Sequence, residues 1–122
     1  MLRTDYFTLP NIALILTTLL LLSLGQVLFK HASSQIVLSQ PLTWLSLPLL
    51  AALAIYAVAT VLWLLVLSRV PLSVAFPFYG LAFLLVPALA ALILHEPLRW
   101  QVLLGGVVIL GGIAITAWGA RA

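Results

Sequence analysis

From Asn11 to Phe29 the sequence reads NIALILTTLLLLSLGQVLF, with no Asp, Glu, Lys or Arg in the run. At 1.5 Å per residue a helix of this length covers the roughly 30 Å of hydrocarbon in a bilayer. Pro10 precedes the run and Lys30 closes it. A basic residue, Arg3, ahead of an apolar stretch is also how a secretory leader begins. This stretch is too long for the apolar part of a leader, and Lys30 and His31 separate it from the small residues Ala32, Ser33 and Ser34. It therefore reads as a retained membrane helix.

Three more runs of the same kind follow, at about Trp44–Leu67, Leu72–Leu94 and Trp100–Trp118. The charged residues Arg3, Asp5, Lys30, Arg69, Glu96, Arg99 and Arg121 all fall at or beyond the ends of the four runs. Aromatic residues mark the same boundaries: Tyr6, Phe7, Phe29, Trp44, Trp100 and Trp118 sit where headgroups meet hydrocarbon. Residues 1–122 thus read as one all-α domain of four transmembrane helices. Hydrophobic residues make up 66% of the chain and charged residues 6%. A water-soluble domain carries about 25% charged residues, so this chain has too little polar surface to stay in solution as a monomer.

The same composition excludes several functions. Without cysteine there is no disulfide, zinc–thiolate site or cysteine nucleophile. The net charge of +3 is scattered over isolated residues, which gives nucleic acid nothing to bind. His31 and His95 are lone interfacial histidines, and no metal-ligand cluster accompanies them. Nothing calls for a cofactor, and no catalytic constellation is present. Ser68–Pro71 and His95–Arg99 are short connections that force antiparallel neighbours, while the longer, polar His31–Thr43 loop is the element expected to be exposed and mobile. The termini share one side with Arg69, and Lys30 and Arg99 lie on the other. This small bias favours cytoplasmic termini and also permits insertion in both directions.

What remains is a set of polar and helix-weakening residues inside the spans. Ser23, Gln26 and Lys30 follow one another at spacings of three and four, so they share one face of the first helix. Gln26 needs a partner in hydrocarbon, either an interhelical hydrogen bond or a substrate. Lys30 is either a snorkelling anchor at the helix end or, with Gln26 one turn deeper, part of a polar track suited to a phosphate or a sugar hydroxyl. In the third span Pro77 and Pro87 each remove a backbone donor, with Tyr79 and Gly80 between them. Such a helix either packs around its prolines or forms a kinked wall of a cavity. The fourth span contains Gly105-Gly106-Val107-Val108-Ile109-Leu110-Gly111-Gly112. Gly105 and Gly112, two turns apart, offer a close-packing surface and a dimer contact. Glu96 either pairs with Arg99 across a short loop or binds a cationic headgroup or proton at the membrane face.

Three segments together resemble the small four-helix branch of the drug/metabolite transporter superfamily, which includes the EamA and small multidrug resistance types. They are Gly25-Gln26-Val27-Leu28-Phe29-Lys30-His31-Ala32, then Leu62–Leu67 through Val70–Pro77, then His95-Glu96-Pro97 with the glycine-rich last helix. Within that branch the chain most resembles the subunits that flip aminoarabinose-phosphoundecaprenol. The resemblance implies a small multidrug resistance-like bundle that works as a homodimer or as a heterodimer with a similar four-helix subunit. One departure stands out. Small multidrug exporters carry an embedded Glu where this chain has Leu22, and their third-helix aromatic pair falls at Phe76 and Tyr79. Proton-for-cation antiport by their mechanism therefore lacks its proton carrier.

The function expected is translocation of a polyprenyl-phosphate-linked sugar across the bacterial inner membrane. Gln26, Lys30, Ser23, Tyr79 and Glu96 would contact the substrate, Pro77 and Pro87 would let the third helix gate, and Gly105 and Gly112 would hold the dimer. The partners are the lipid-linked sugar, membrane lipids and the second subunit. Two other readings stand beside it: an exporter of small cations or metabolites using Glu96 as proton carrier, and a non-transporting scaffold subunit.

Overall fold

The computed structural model describes the backbone of residues 6–121 and the side chains of residues 6–119. Arg3 and Asp5, and the side chain of Arg121, lie outside the described residues. Among the described residues four helical segments are long and apolar enough to cross a membrane, namely Leu9–Ser33, Leu47–Arg69, Leu72–Ile93 and Trp100–Gly119.

Helix α1 (Leu9–Ser33) starts where the Thr8 side chain accepts a hydrogen bond from the Asn11 N–H, with Pro10 in the first turn where no donor is needed. Its last turn carries Lys30 and His31, cations placed against the negative end of the helix dipole. It runs four residues past Phe29. Helix α2 (Leu47–Arg69) is capped by Ser46, whose side chain accepts from the Leu49 N–H. It begins three residues after Trp44, which belongs instead to a short 3-10 turn, Pro41–Trp44. Its end is set by Pro71, which drives Val70 into extended backbone at φ −131° and ψ 132°.

The third span is a composite. Helix α3 (Leu72–Ala75) passes into a 3-10 segment, Phe76–Leu81, and then into α4 (Ala82–Ile93). Pro77 lies in the first turn of the 3-10 segment, and Pro87 lies inside α4. The departure from straight α-helix expected from the two prolines thus takes the form of a tightened stretch of six residues. The α4 end is closed by His95, which adopts φ 59°, and by the Glu96 N–H donating to the Ala90 carbonyl at 3.3 Å. Helix α5 (Trp100–Arg121) follows.

Helix α1 is central and packs on α2 and α4, while α5 lies outermost against the 3-10 segment and α4. The core joins Ile15, Leu19 and Leu22 of α1 to Ala59 and Val66 of α2 and to Val74 and Ala75 of α3. On α2 the buried residues Ala52, Ala59 and Val66 recur every seven positions, and their small size lets the two long helices approach. Lipid is as apolar as leucine, so close fit rather than escape from water holds such a bundle together. The outward faces are accordingly apolar: Leu53, Val61, Leu64, Phe83, Val107 and Ile115 are all exposed.

The His31–Thr43 connection is mostly exposed, and hydrogen bonds give it a defined path. Its first three residues continue α1. The Thr43 hydroxyl accepts from the Val37 N–H at 2.8 Å and donates to the Gln40 carbonyl at 2.7 Å, pinning the loop across a Val37–Gln40 bridge.

Candidate functional site

Gln26 lies seven residues before the end of α1, roughly 10 Å in from that end of the helix. Its side chain is exposed and lines an open cavity of about 360 Å³ with Tyr79, Ala82, Phe83, Val86 and Pro87. The cavity lies between α1 and the third span. Its volume falls within the range of small-ligand sites, and its walls are apolar apart from the amide and the phenol. The 3-10 segment supplies Tyr79, and α4 supplies the rest of the wall. A second hollow, about 570 Å³, is lined by Leu72, Ser73, Phe76 and Pro77 at the opposite end of the third span.

Aromatic rings organise the space between. Trp63 of α2 meets Tyr79 edge-on, with ring centroids 4.9 Å apart and planes at 88°. Phe76, which lines the second hollow, is centred 5.4 Å from Tyr79, which lines the first. On the α1 side, the Tyr56 ring of α2 is centred 5.0 Å from Phe29. The Gln26 side-chain N–H donates to the Tyr56 hydroxyl. Thus Gln26 belongs both to the cavity wall and to a hydrogen bond between α1 and α2.

The residues singled out from the sequence divide by position. Gln26, Tyr79 and Pro87 come together in one cavity. Lys30 is exposed one turn nearer the helix end, about 6 Å further along the axis, and its side chain makes no hydrogen bond or ion pair among the described residues. Ser23 is not brought to the cavity. It is fully buried, and its hydroxyl donates to the Leu19 carbonyl at 2.7 Å. The physical reason is that three residues along a helix still differ by about 60° around it, and the core stripe of Leu19 and Leu22 takes Ser23 with it. Glu96 is exposed in the α4–α5 connection, and no Glu96–Arg99 ion pair is found among the described residues. Arg99 instead serves the start of α5 through its carbonyl, which accepts from the Val102 N–H at 3.0 Å.

Pro77 lines the second hollow rather than the first. Gly105 and Gly112 face open space, with no atom within 4 Å of a side chain built there. The close contacts of α5 are made elsewhere, by Gly106 against Leu84 and by Gly80 against Ile109. Among the described residues no group of three His, Cys, Asp or Glu could hold a metal.

Tyr56 is hard to see in the sequence as a site residue, because it reads as one aromatic in an apolar run. The available signal is its hydroxyl: a phenol in mid-span needs a polar partner, and Gln26 is the amide at matching depth on the antiparallel neighbour.

A family model described as the EamA-like transporter family matches residues 3–118. A protein of Escherichia fergusonii named "Probable 4-amino-4-deoxy-L-arabinose-phosphoundecaprenol flippase subunit ArnE" is 36% identical over 104 residues, covering 85% of this chain and 93% of that one. A protein of the same name from Escherichia coli O157:H7 is 38% identical over 91 residues, covering 75% of this chain and 82% of that one. No solved structure matches the chain.

Proposed function

The chain belongs to the EamA-like transporter family, and on that premise we propose that it is a subunit of a flippase carrying a polyprenyl-phosphate-linked sugar across the bacterial inner membrane. The observation that supports this most is the open cavity holding Gln26, with Lys30, unpaired among the described residues, one turn nearer the membrane face. A headgroup needs such a polar notch, reached sideways from lipid, while its isoprenoid tail stays in the hydrocarbon throughout. The relatives are named for an aminoarabinose-linked carrier, and an amino sugar fits the residues available here.

Lys30 receives the phosphate, since an ammonium offers three donors and a full charge. Gln26 and Tyr79 meet the headgroup inside the cavity. Glu96, exposed in the connection on the same side of the bundle as Lys30, draws in the sugar's amino group. The 3-10 segment at Pro77, with Pro87 beyond it, is where the third span changes shape as the headgroup passes. Four helices do not enclose a path by themselves, so a second four-helix subunit closes the notch, and the open Gly105–Gly112 face of α5 is where it seats.

No embedded acid is required. Moving one charge through 100 mV involves about 2.3 kcal/mol, and an anionic phosphodiester leaves a negative-inside cell downhill. An amino group on the sugar brings the headgroup close to neutral and removes even that dependence.

Translocation of a labelled lipid-linked sugar in proteoliposomes tests the assignment. Lys30→Ala should slow flipping about tenfold or more, the loss that one charge-assisted hydrogen bond represents, and Gln26→Ala about threefold to tenfold, the loss of a neutral one. Flipping at the unaltered rate in both variants overturns it.

A further inference from the structure

The hydrogen bond between Gln26 and Tyr56 leaves polar groups over. In the orientation seen, the amide uses one N–H on the Tyr56 oxygen. The Tyr56 O–H and the second amide hydrogen remain to donate, and the Gln26 carbonyl oxygen remains to accept. None of them has a further partner among the described residues. Turning the amide over does not change the outcome, because the amide hydrogens then donate and the tyrosine oxygen accepts. In either state the pair presents a donor and an acceptor side by side, one turn inward of Lys30, with Gln26 at the wall of the cavity. Unmet polar groups at that depth are costly, so the position calls for a visitor.

The chemistry of that visitor follows from the pattern. A hydroxyl both donates and accepts, and so satisfies both halves of the pair at once. A phosphate oxygen only accepts, and would face the leftover acceptor lone pair to lone pair. The phosphate has a better match at Lys30. We infer that Tyr56 is a specificity residue of the site, and that Gln26 and Tyr56 together read a hydroxyl of the carried sugar rather than its phosphate. This rests on the carrier-lipid reading above and extends it, dividing the headgroup between Lys30 and a hydroxyl-reading pair about one turn deeper.

The position of Tyr56 is fixed by contacts that do not use its oxygen. Its ring packs against the Gly25 backbone and on Phe29, so Tyr56→Phe removes the hydroxyl while leaving the ring in place. Binding is measured in nanodiscs containing the chain as it purifies, with two probes: undecaprenyl phosphate alone, and undecaprenyl phosphate bearing a pyranose. The unaltered chain should prefer the sugar-bearing lipid. In Tyr56→Phe that preference should shrink about tenfold, while affinity for undecaprenyl phosphate stays within about twofold. Gln26→Met, which keeps the length of the side chain, should lose the preference likewise and serves if Tyr56→Phe fails to fold.

Retention of the full preference in both variants overturns the inference while leaving the carrier-lipid reading intact. So does loss of subunit association in Tyr56→Phe with the preference unchanged, since the leftover groups would then belong to a neighbouring helix. An unaltered chain that binds neither probe overturns the carrier-lipid reading itself, and the hydroxyl assignment falls with it.

Discussion

The Tyr56 ring of α2 occupies the space that a side chain at Gly25 of α1 would need: a Cβ built at Gly25 comes within 2.6 Å of Tyr56 Cδ2 and 2.7 Å of Cε2. The glycine is therefore required by close approach rather than by an unusual backbone angle. It seats the ring whose hydroxyl accepts the hydrogen bond of the next residue, Gln26. Packing between the two long helices and the polar geometry of the cavity wall are thus one feature of the structure.

Gly25→Ala should destabilise the bundle by about 1–3 kcal/mol, the usual cost of overpacking a tight contact. Thermal unfolding in detergent measures it. In the double variant Gly25→Ala with Tyr56→Ala the obstructing ring is gone, so the two effects should not add. Full additivity would show that the contact is not what makes Gly25 necessary.

The glycine of the 3-10 segment that packs on α5 and the glycines on the open face of α5 should behave as two classes. At Gly80 a Cβ meets Ile109 Cγ2 at 2.8 Å, whereas at Gly105 and Gly112 it meets nothing within 4 Å. Gly80→Val should therefore lower the melting temperature of the isolated subunit, and Gly112→Leu should leave it within a degree or so. If the open face of α5 seats a second subunit, Gly112→Leu should nevertheless abolish crosslinking or co-purification of that subunit. Equal stability with undiminished association would mean that the partner binds elsewhere.

Much of the fold was legible because charge and length leave little choice in a membrane. A run such as Asn11–Phe29 must satisfy its own backbone, and only a helix does so. The end of α2 at Val70-Pro71 and the irregular third span at Pro77 follow from single-residue chemistry. Less could be read where rotation about a helix axis decides the outcome. Ser23 and Gln26 share a broad face, yet one is sealed in the core and the other is open to the cavity. Spacing alone does not fix that angle; the neighbours do, through the stripe of Ile15, Leu19 and Leu22. Tyr56 escaped for a similar reason, since its partner lies on another helix thirty positions away.

Trp63 should report directly on the cavity. It touches Tyr79, a lining residue, whereas Trp44, Trp100 and Trp118 are exposed at the ends of the spans. A variant with those three replaced by phenylalanine retains one indole. Its fluorescence should change on titration with the sugar-bearing lipid and not with a tail-length alcohol. Tyr79→Ala, which removes the ring between indole and cavity, should abolish most of that change. A response of equal size to the plain alcohol would indicate a general effect of lipid on the helices rather than occupation of the site.

The 3-10 segment at Phe76–Leu81 should govern rate more than affinity. Its neighbouring rings, Phe76 on the second hollow and Tyr79 on the first, stand between the two spaces a headgroup would visit in turn. Pro77→Ala restores a backbone donor within reach of the Ser73 carbonyl and favours one continuous α-helix from Leu72 onward. A straighter, stiffer span should bind the lipid-linked sugar within about twofold of the unaltered chain and move it about tenfold more slowly, a barrier increase of about 1.4 kcal/mol. Binding in nanodiscs and flipping in proteoliposomes separate the two quantities. A variant that flips at the original rate would show that the change of helix type is a packing detail, and one that loses affinity and rate together would place Pro77 in the binding surface instead.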